Sequence, residues 1–197
     1  MYSKVLSVIA ALLLSISSAH AIVVDFEGDT IGSKSNGFVS GGITFNDTNG
    51  SGLQVMNGLP VECGSSNNHC LANFGDDTGS LEMVFGQSVN FLSFDFGNDQ
   101  AGFLPAGGLA YLQLFMGNSL VGVASVASNL DDFMNQSILF SGTYFNRALF
   151  TYTDANGVPI GLIEVVDNIA YDVPEPASLA LMGLALTGVF MSRRRQQ

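Results

Sequence analysis

From about residue 22 to residue 173 the chain alternates short apolar runs with clusters of Gly, Asn, Asp and Ser. No stretch there keeps apolar residues at helical spacing for a useful length, so the pattern predicts strands. The runs are IVVDFE, FVSGGITF, LQVMN, SLEMVF, NFLSFDFG, LAYLQLFM, SLVGVASV, SILFSG, YFNRALFTYT and LIEVVDNIAYDV. Leu92, Phe94 and Phe96 alternate with Ser93 and Asp95, which gives one apolar and one polar face. Gly117 and Asn118 separate two runs and predict a hairpin turn. The stretch Asp154 to Gly157 ends a strand and redirects the chain. Many short strands in one segment predict an all-β fold, a two-sheet β-sandwich of jelly-roll type rather than a membrane barrel. No internal repeat or second domain stands out.

The two ends break this pattern. At the start, Lys4 precedes an apolar run from Val5 to Ile16, and Ala19-His20-Ala21 follows with small residues at the cleavage positions. This predicts a signal peptide over residues 1–21, helical before signal peptidase cuts after Ala21. At the other end, Pro174 and Pro176 flank Glu175, an uncharged run from Ala177 to Ser192 follows, and Arg193, Arg194 and Arg195 come next. A helix over that run reaches about 24 Å, short of a hydrocarbon core of about 30 Å. It makes a marginal transmembrane anchor that spans by thinning the bilayer or by snorkelling at its ends. The three arginines hold the tail on the cytoplasmic side and leave the acidic domain outside. The prolines keep the preceding segment extended, where a processing enzyme can grip it.

Pro174-Glu175-Pro176, a short apolar helix over about 177–191 and the basic stop 193–195 together resemble the PEP-CTERM sorting signal of Gram-negative bacteria. The resemblance covers only residues 174–197. It implies recognition by an exosortase, an integral-membrane cysteine protease-like enzyme, with removal of the tail near the motif. The inner membrane is then a transient partner, and the protein ends at the cell surface or outside the cell. An ordinary C-terminal anchor is the alternative. The domain over 22–173 also resembles exported jelly-roll domains that precede such tails, through Asp25-Phe26-Glu27-Gly28, Gly42-Ile43-Thr44-Phe45 and Val166-Asp167-Asn168-Ile169. It is similar as well to concanavalin-like and carbohydrate-binding sandwiches. Those likenesses imply that the first and last strands lie side by side.

Charge narrows the function classes. All 17 acids fall between Asp25 and Glu175, and residues 22–173 hold 16 acids against two bases, Lys34 and Arg147, hence −14. Such a surface repels phosphate backbones, which excludes nucleic acid as a partner. It suits divalent cations or neutral glycans. Cys63 and Cys70 are spaced for a small disulfide loop, the default in an exported chain. A metal held by Cys63, Cys70 and His69 is the alternative, with no fourth ligand evident. After signal cleavage His69 is the sole histidine, so a serine-protease triad and a zinc centre both lack the residues they need. Glycoside hydrolysis needs two carboxylates, and Glu62, Glu82 and Glu164 are the candidates.

Pairing of the first and last strands would bring Asp25 and Glu27 toward Asp167 and Asp172. Without nearby Lys or Arg that cluster calls for a cation, and Ca²⁺, with its six to eight oxygen ligands, is the expected one. The alternative is that these acids face water. A sugar site would use Tyr111, Tyr144 or Tyr152 as stacking faces, with Asn98, Asp99, Gln100 or Asn118 on loops, although each tyrosine equally suits core packing. The expected function is non-catalytic: a structural or adhesive protein of the cell surface or of an exopolysaccharide and biofilm matrix, an association that comes from the PEP-CTERM resemblance alone. A carbohydrate-binding module with a defined glycan site is the second reading, and a hydrolase the third.

Overall fold

The computed structural model describes residues 20–57, 63, 68–75 and 77–173. The expected signal segment up to Ala19, Glu62, and everything from Pro174 onward, with the expected transmembrane helix and Arg193 to Arg195, lie outside the described residues. In chain order the strands are β1 (His20–Val24), β2 (Gly32–Lys34), β3 (Phe38–Ser40), β4 (Ile43–Asp47), β5 (Leu53–Asn57), β6 (His69–Asn73), β7 (Leu81–Gly97), β8 (Leu109–Met116), β9 (Ser119–Ala127), β10 (Gln136–Thr153) and β11 (Val165–Val173). No described residue is helical. The residues Ala21–Asp172 form one compact unit.

β7 and β10 pair antiparallel along nearly their whole length, from Gln136 opposite Phe96 to Phe150 opposite Leu81. Their halves have different neighbours. The Leu81 end lies between β4 on one side and, across β10, β8 and β9. The Phe96 end lies beside β11, which leads to β6, β5 and β2, and β1 also pairs with β11. In a straight ribbon Phe94 would sit about 43 Å from the Leu81–Phe150 rung, at about 3.3 Å per residue. Instead the Phe94 and Phe150 rings are 4.9 Å apart, edge to face. The ribbon therefore folds back on itself, and the continuous sheet becomes the two layers of a sandwich.

The fold-back is visible in the pleat. Along β7 the buried set is Leu81, Met83, Phe85 and Val89, then Leu92, Phe94 and Phe96. The inward face thus moves from odd to even positions, a one-residue slip that a bend absorbs. On β10 the register shifts fall between Ser141 and Arg147, where Gly142 takes a φ of 146°. The sequence pattern reads SLEMVF and NFLSFDFG, and SILFSG and YFNRALFTYT, as separate strands because the period breaks at this corner. The opposite error occurs at FVSGGITF. It is a hairpin of β3 and β4, since Gly41 and Gly42 both adopt positive φ. The Gly117 turn joins β8 to β9 as expected. At the 154–157 turn, Asp154 Oδ1 accepts from the amides of Asn156 and Val158.

Phe94, Phe96, Phe150 and Tyr152 fill the space between the layers, with ring centroids 4.9–6.3 Å apart. We expect Phe150→Ala to lower the unfolding free energy by about 3–5 kcal/mol. Leu139→Ala, at a site 57% exposed on the same strand, is expected to change it by less than about 0.5 kcal/mol. Urea denaturation of the two variants checks the contrast.

Candidate functional site

β1 lies beside β11, so the beginning and the end of the domain meet. After β1 the chain turns sharply at Phe26, which takes a left-handed φ of 55° and buries its ring against Phe45. The turn holds Asp25 and Glu27 on the surface on either side of it. Glu27 Oε1 accepts from the His69 amide at 2.9 Å, and His69 Nδ1 lies 3.0 Å from the Phe26 carbonyl. Across the sheet, Asp167 is buried at 2% exposure and accepts from the amide of Asn168 at 2.7 Å. Asn168 itself has φ 51°, and the register shifts between Asp167 and Ala170. Asp95 stands opposite Asp167. It accepts from Ser137 Oγ and from Asn168 Nδ2.

Burial pushes the Asp167 carboxyl up to about 7 against the lowering effect of the Asn168 amide, and the charges of Asp95, Asp25 and Glu27 push the same way. Three of the four acids named from sequence therefore act on one another. Asp172 lies toward the other end of β11, and Asp95, which the sequence reading did not single out, joins instead. Among the described residues no three His, Cys, Asp or Glu side chains converge as a metal cage would require.

A second acidic region occupies one end of the sandwich. Glu164 is buried and accepts from Asn73 Nδ2 at 2.9 Å, while the Asn73 amide donates to the Glu164 carbonyl. Burial raises its carboxyl to about 8 even with that hydrogen bond. Asp99 is 1% exposed, and its Oδ2 accepts from the Leu130 amide at 3.3 Å. Asn98 is buried too and donates to the Ile163 carbonyl. Neither Asn98 nor Asp99 is thus free on a loop to hold a sugar hydroxyl. Tyr152 is fully buried and donates to the Gly97 carbonyl, which removes it as a stacking platform. Tyr111 is half-buried, Tyr144 is 51% exposed, Gln100 is half-buried and Asn118 is exposed.

The hydrolase candidates fare no better. Glu82 is engaged by Arg147 at 3.2 Å and by Asn46 Nδ2 at 2.8 Å, and Glu164 is sealed inside. Cys63 and Cys70 are joined in a disulfide with Cα atoms 5.3 Å apart. Both sulfurs pack with Ala72 and Val165, and Met56, Met134 and Ile163 cover them. A metal held by these thiols is thereby ruled out.

Residues 172–195 match the PEP-CTERM protein-sorting motif. The chain carries an exosortase sorting signal. This motif marks an exported protein, sorted to the cell surface or the extracellular space. β11 is described to Val173, one residue before Pro174, so a cut at Pro174-Glu175-Pro176 leaves every described strand in place. No curated protein matches the chain. Solved structures similar to it include a family 29 carbohydrate binding module, at TM-score 0.39 and 15% identity over 79% of this chain and 89% of that one. A CBM29-2 mutant complexed with mannohexaose matches at TM-score 0.38 and 14% identity, over 79% of this chain and 92% of that one. Another, complexed with cellulohexaose, matches at TM-score 0.38 and 15% identity, over 79% of this chain and 90% of that one. At such scores the ligands of those modules say nothing about this chain.

The raised carboxyls of Asp167 and Glu164 give a pH dependence of definite sign. Above the ordinary carboxylate range the folded state still holds both protons, while the unfolded chain has released them. Stability is therefore greatest below that range and falls as pH rises, through about 7 for Asp167 and about 8 for Glu164. Each group contributes a loss on the order of 1.4 kcal/mol per pH unit within its window. Thermal melts of the full chain in detergent should show a lower Tm at pH 8.5 than at pH 5.5, and Glu164→Gln should flatten the upper part of the fall. A pH-independent Tm would contradict both assignments.

Proposed function

We propose that this is a structural or adhesive protein of the cell surface or of an exopolysaccharide matrix, delivered by its tail and freed from it by an exosortase. One observation carries the reading: residues 172–195 match the sorting motif, overlapping the end of the last described strand. Export uses the segment up to Ala21 and signal peptidase, and the mature domain runs from Ile22 to near Pro174. Removing residues up to Ala21 leaves Ile22–Val24 of β1, the strand that pairs with β11. Arg193, Arg194 and Arg195 hold the tail inside the inner membrane until Pro174-Glu175-Pro176 is cut. The acidic domain, with Lys34 and Arg147 as its only bases, then stays soluble and monodisperse through self-repulsion.

A second reading, a defined glycan site, draws on a shallow recess beside β1 and β3. Val23, Asp25, Asp29, Val39 and Ser40 are among its lining residues. Asp29 Oδ2 already accepts from Ser40 Oγ at 2.6 Å. The recess offers hydroxyl partners, and its one aromatic, Phe26, has its ring buried, so it provides no stacking face. Calcium at Asp25, Glu27 and Asp167, without the more distant Asp172, belongs to the first reading as a brace between the two ends of the domain. Backbone carbonyls and water would supply most of its ligands. A calcium-induced rise in Tm that shrinks in Asp167→Asn supports the brace, and an equal rise in both proteins overturns it.

Replacing Pro174, Glu175 and Pro176 together by alanine should keep the protein in the membrane fraction of its host, whereas the natural sequence reaches the surface or the medium. Fractionation with immunoblotting reads this directly. Equal release of the two forms would sink the exosortase reading. A glycan-binding screen of the protein released from its host separates the two roles: a saturable, selective hit favours a sugar site, and uniformly weak binding favours a matrix component.

A further inference from the structure

Three turns meet at the end of the sandwich that carries Glu164: residues 98–100 after β7, residues 128–135 between β9 and β10, and residues 163–164 before β11. The Asn98 side chain ties the first to the third through the Ile163 carbonyl. Met134 packs with Ile163 on the disulfide cluster and ties the second to the third. The Asp99 carboxylate is set into the second turn by its 3.3 Å hydrogen bond from the Leu130 amide. Leu130 stands two residues from Ser128 and two from Asp132.

The oxygens around this point lack partners. Asp99 Oδ1, Asp132 Oδ1 and Ser128 Oγ are each buried with no hydrogen-bond partner among the described residues. Asp99 as a whole is 1% exposed. A buried, unpaired carboxylate oxygen is costly to leave unsatisfied, and two within reach of each other's charge are more so. The carboxyl of Asp132 rises through burial first and then through the charges of Asp99 and Asp131, which places the two carboxylates within each other's field.

No described side chain offers a positive charge here. Lys34 and Arg147 are the only bases among the described residues. Lys34 donates to Thr30 and lies over the Phe38 ring, and Arg147 is paired with Glu82 and stacked on Phe115. His69 is engaged with Phe26. The remaining acid of the loop, Asp131, has its oxygens occupied by Asn129, Phe133 and Asn135, so it shapes the turn without reaching the orphans.

We propose that Asp99 Oδ1, Asp132 Oδ1 and Ser128 Oγ form a divalent-cation site that takes calcium. Two hard carboxylates and a hydroxyl, without nitrogen or sulfur donors, select a hard oxygen-loving ion. Two carboxylates fall short of a three-acid cage, so backbone carbonyls of the turns and water complete the six to eight ligands. The loop supply of oxygens suits the flexible shell of Ca²⁺ better than the strict octahedron of Mg²⁺. Once bound, the ion clips the 128–132 turn to the end of β7, next to the disulfide cluster. The site is separate from the Asp25, Glu27 and Asp167 group, and it does not depend on the sorting reading.

The test is a calcium titration of the full chain in detergent at pH 7.5, after chelation, read by Tm and by displacement of Tb³⁺ luminescence excited through tyrosine. At saturating calcium Tm should rise by roughly 5 °C or more. Asp132→Asn and Ser128→Ala should each weaken calcium at least tenfold, while Asp167→Asn keeps the affinity read at this site. Asp99→Asn should abolish the response, and the two milder variants decide the question if it fails to fold. No calcium effect on the natural sequence would overturn the proposal. So would a response that survives in Asp132→Asn and Ser128→Ala but is lost in Asp167→Asn, because the ion would then sit between β1 and β11. A calcium-insensitive protein that becomes more stable in Asp99→Asn would show instead that the two carboxylates share a proton.

Discussion

The contact of Phe94 with Phe150 is the constraint on which the rest of the architecture depends. These side chains belong to a ribbon whose hydrogen bonds alone would hold them far apart, and they meet because the ribbon folds over. Apolar burial supplies the driving force, since Phe94, Phe96, Phe150 and Tyr152 are all withdrawn from water. Once the ribbon is folded, its free edges fix where the other strands add. β4 and β8 extend one layer, β11 extends the other, and β1 closes against β11. The beginning and the end of the domain are thereby brought together.

The same folding puts acids where they are least comfortable. A chain with 16 acids and two bases over its domain has too few cations to neutralise them pairwise. One ion pair, Arg147 with Glu82, occurs among the described residues. Glu164 and Asp167 are withdrawn from water and hold on to protons as a result. Asp47 is buried too but is satisfied by the amides of Asn49 and Gly52. Asp99 and Asp132 retain orphan oxygens. These acids thus meet burial in three ways: by protonation, by hydrogen bonding to loop amides, or by waiting for an external cation.

Much of the fold was legible because period-2 alternation survives burial on one face. Leu92, Phe94 and Phe96 point inward as their spacing requires, and the turns at Gly117 and at Asp154 to Gly157 sit where their residue types demand. What the pattern concealed has physical causes. A corner breaks the period, so the two long strands read as four. HCLAN, which forms β6, is short and carries too little alternation to be noticed. The sorting motif was legible because its signal is linear, a proline-flanked glutamate, an apolar run and an arginine cluster in a row, and needs no tertiary contact. The acidic sites were legible only in part. Pairing of the first and last strands correctly joined Asp25 and Glu27 to Asp167. Nothing local in GNDQ or NLDDF says that Asp99 and one oxygen of Asp132 will be buried, because the burial comes from turns distant in sequence. For the same reason Tyr152 and Asp99 looked available to a sugar and are not.

The sandwich is delivered and released by two cuts, one at each of its ends. The intact mass of the protein recovered from the surface and the medium of its native host tests this most directly. The account predicts a species that starts at Ile22 and ends near Pro174, with one disulfide. A species that runs from Ile22 to Gln197 and stays in the membrane fraction would contradict it, since the tail would then be a permanent anchor.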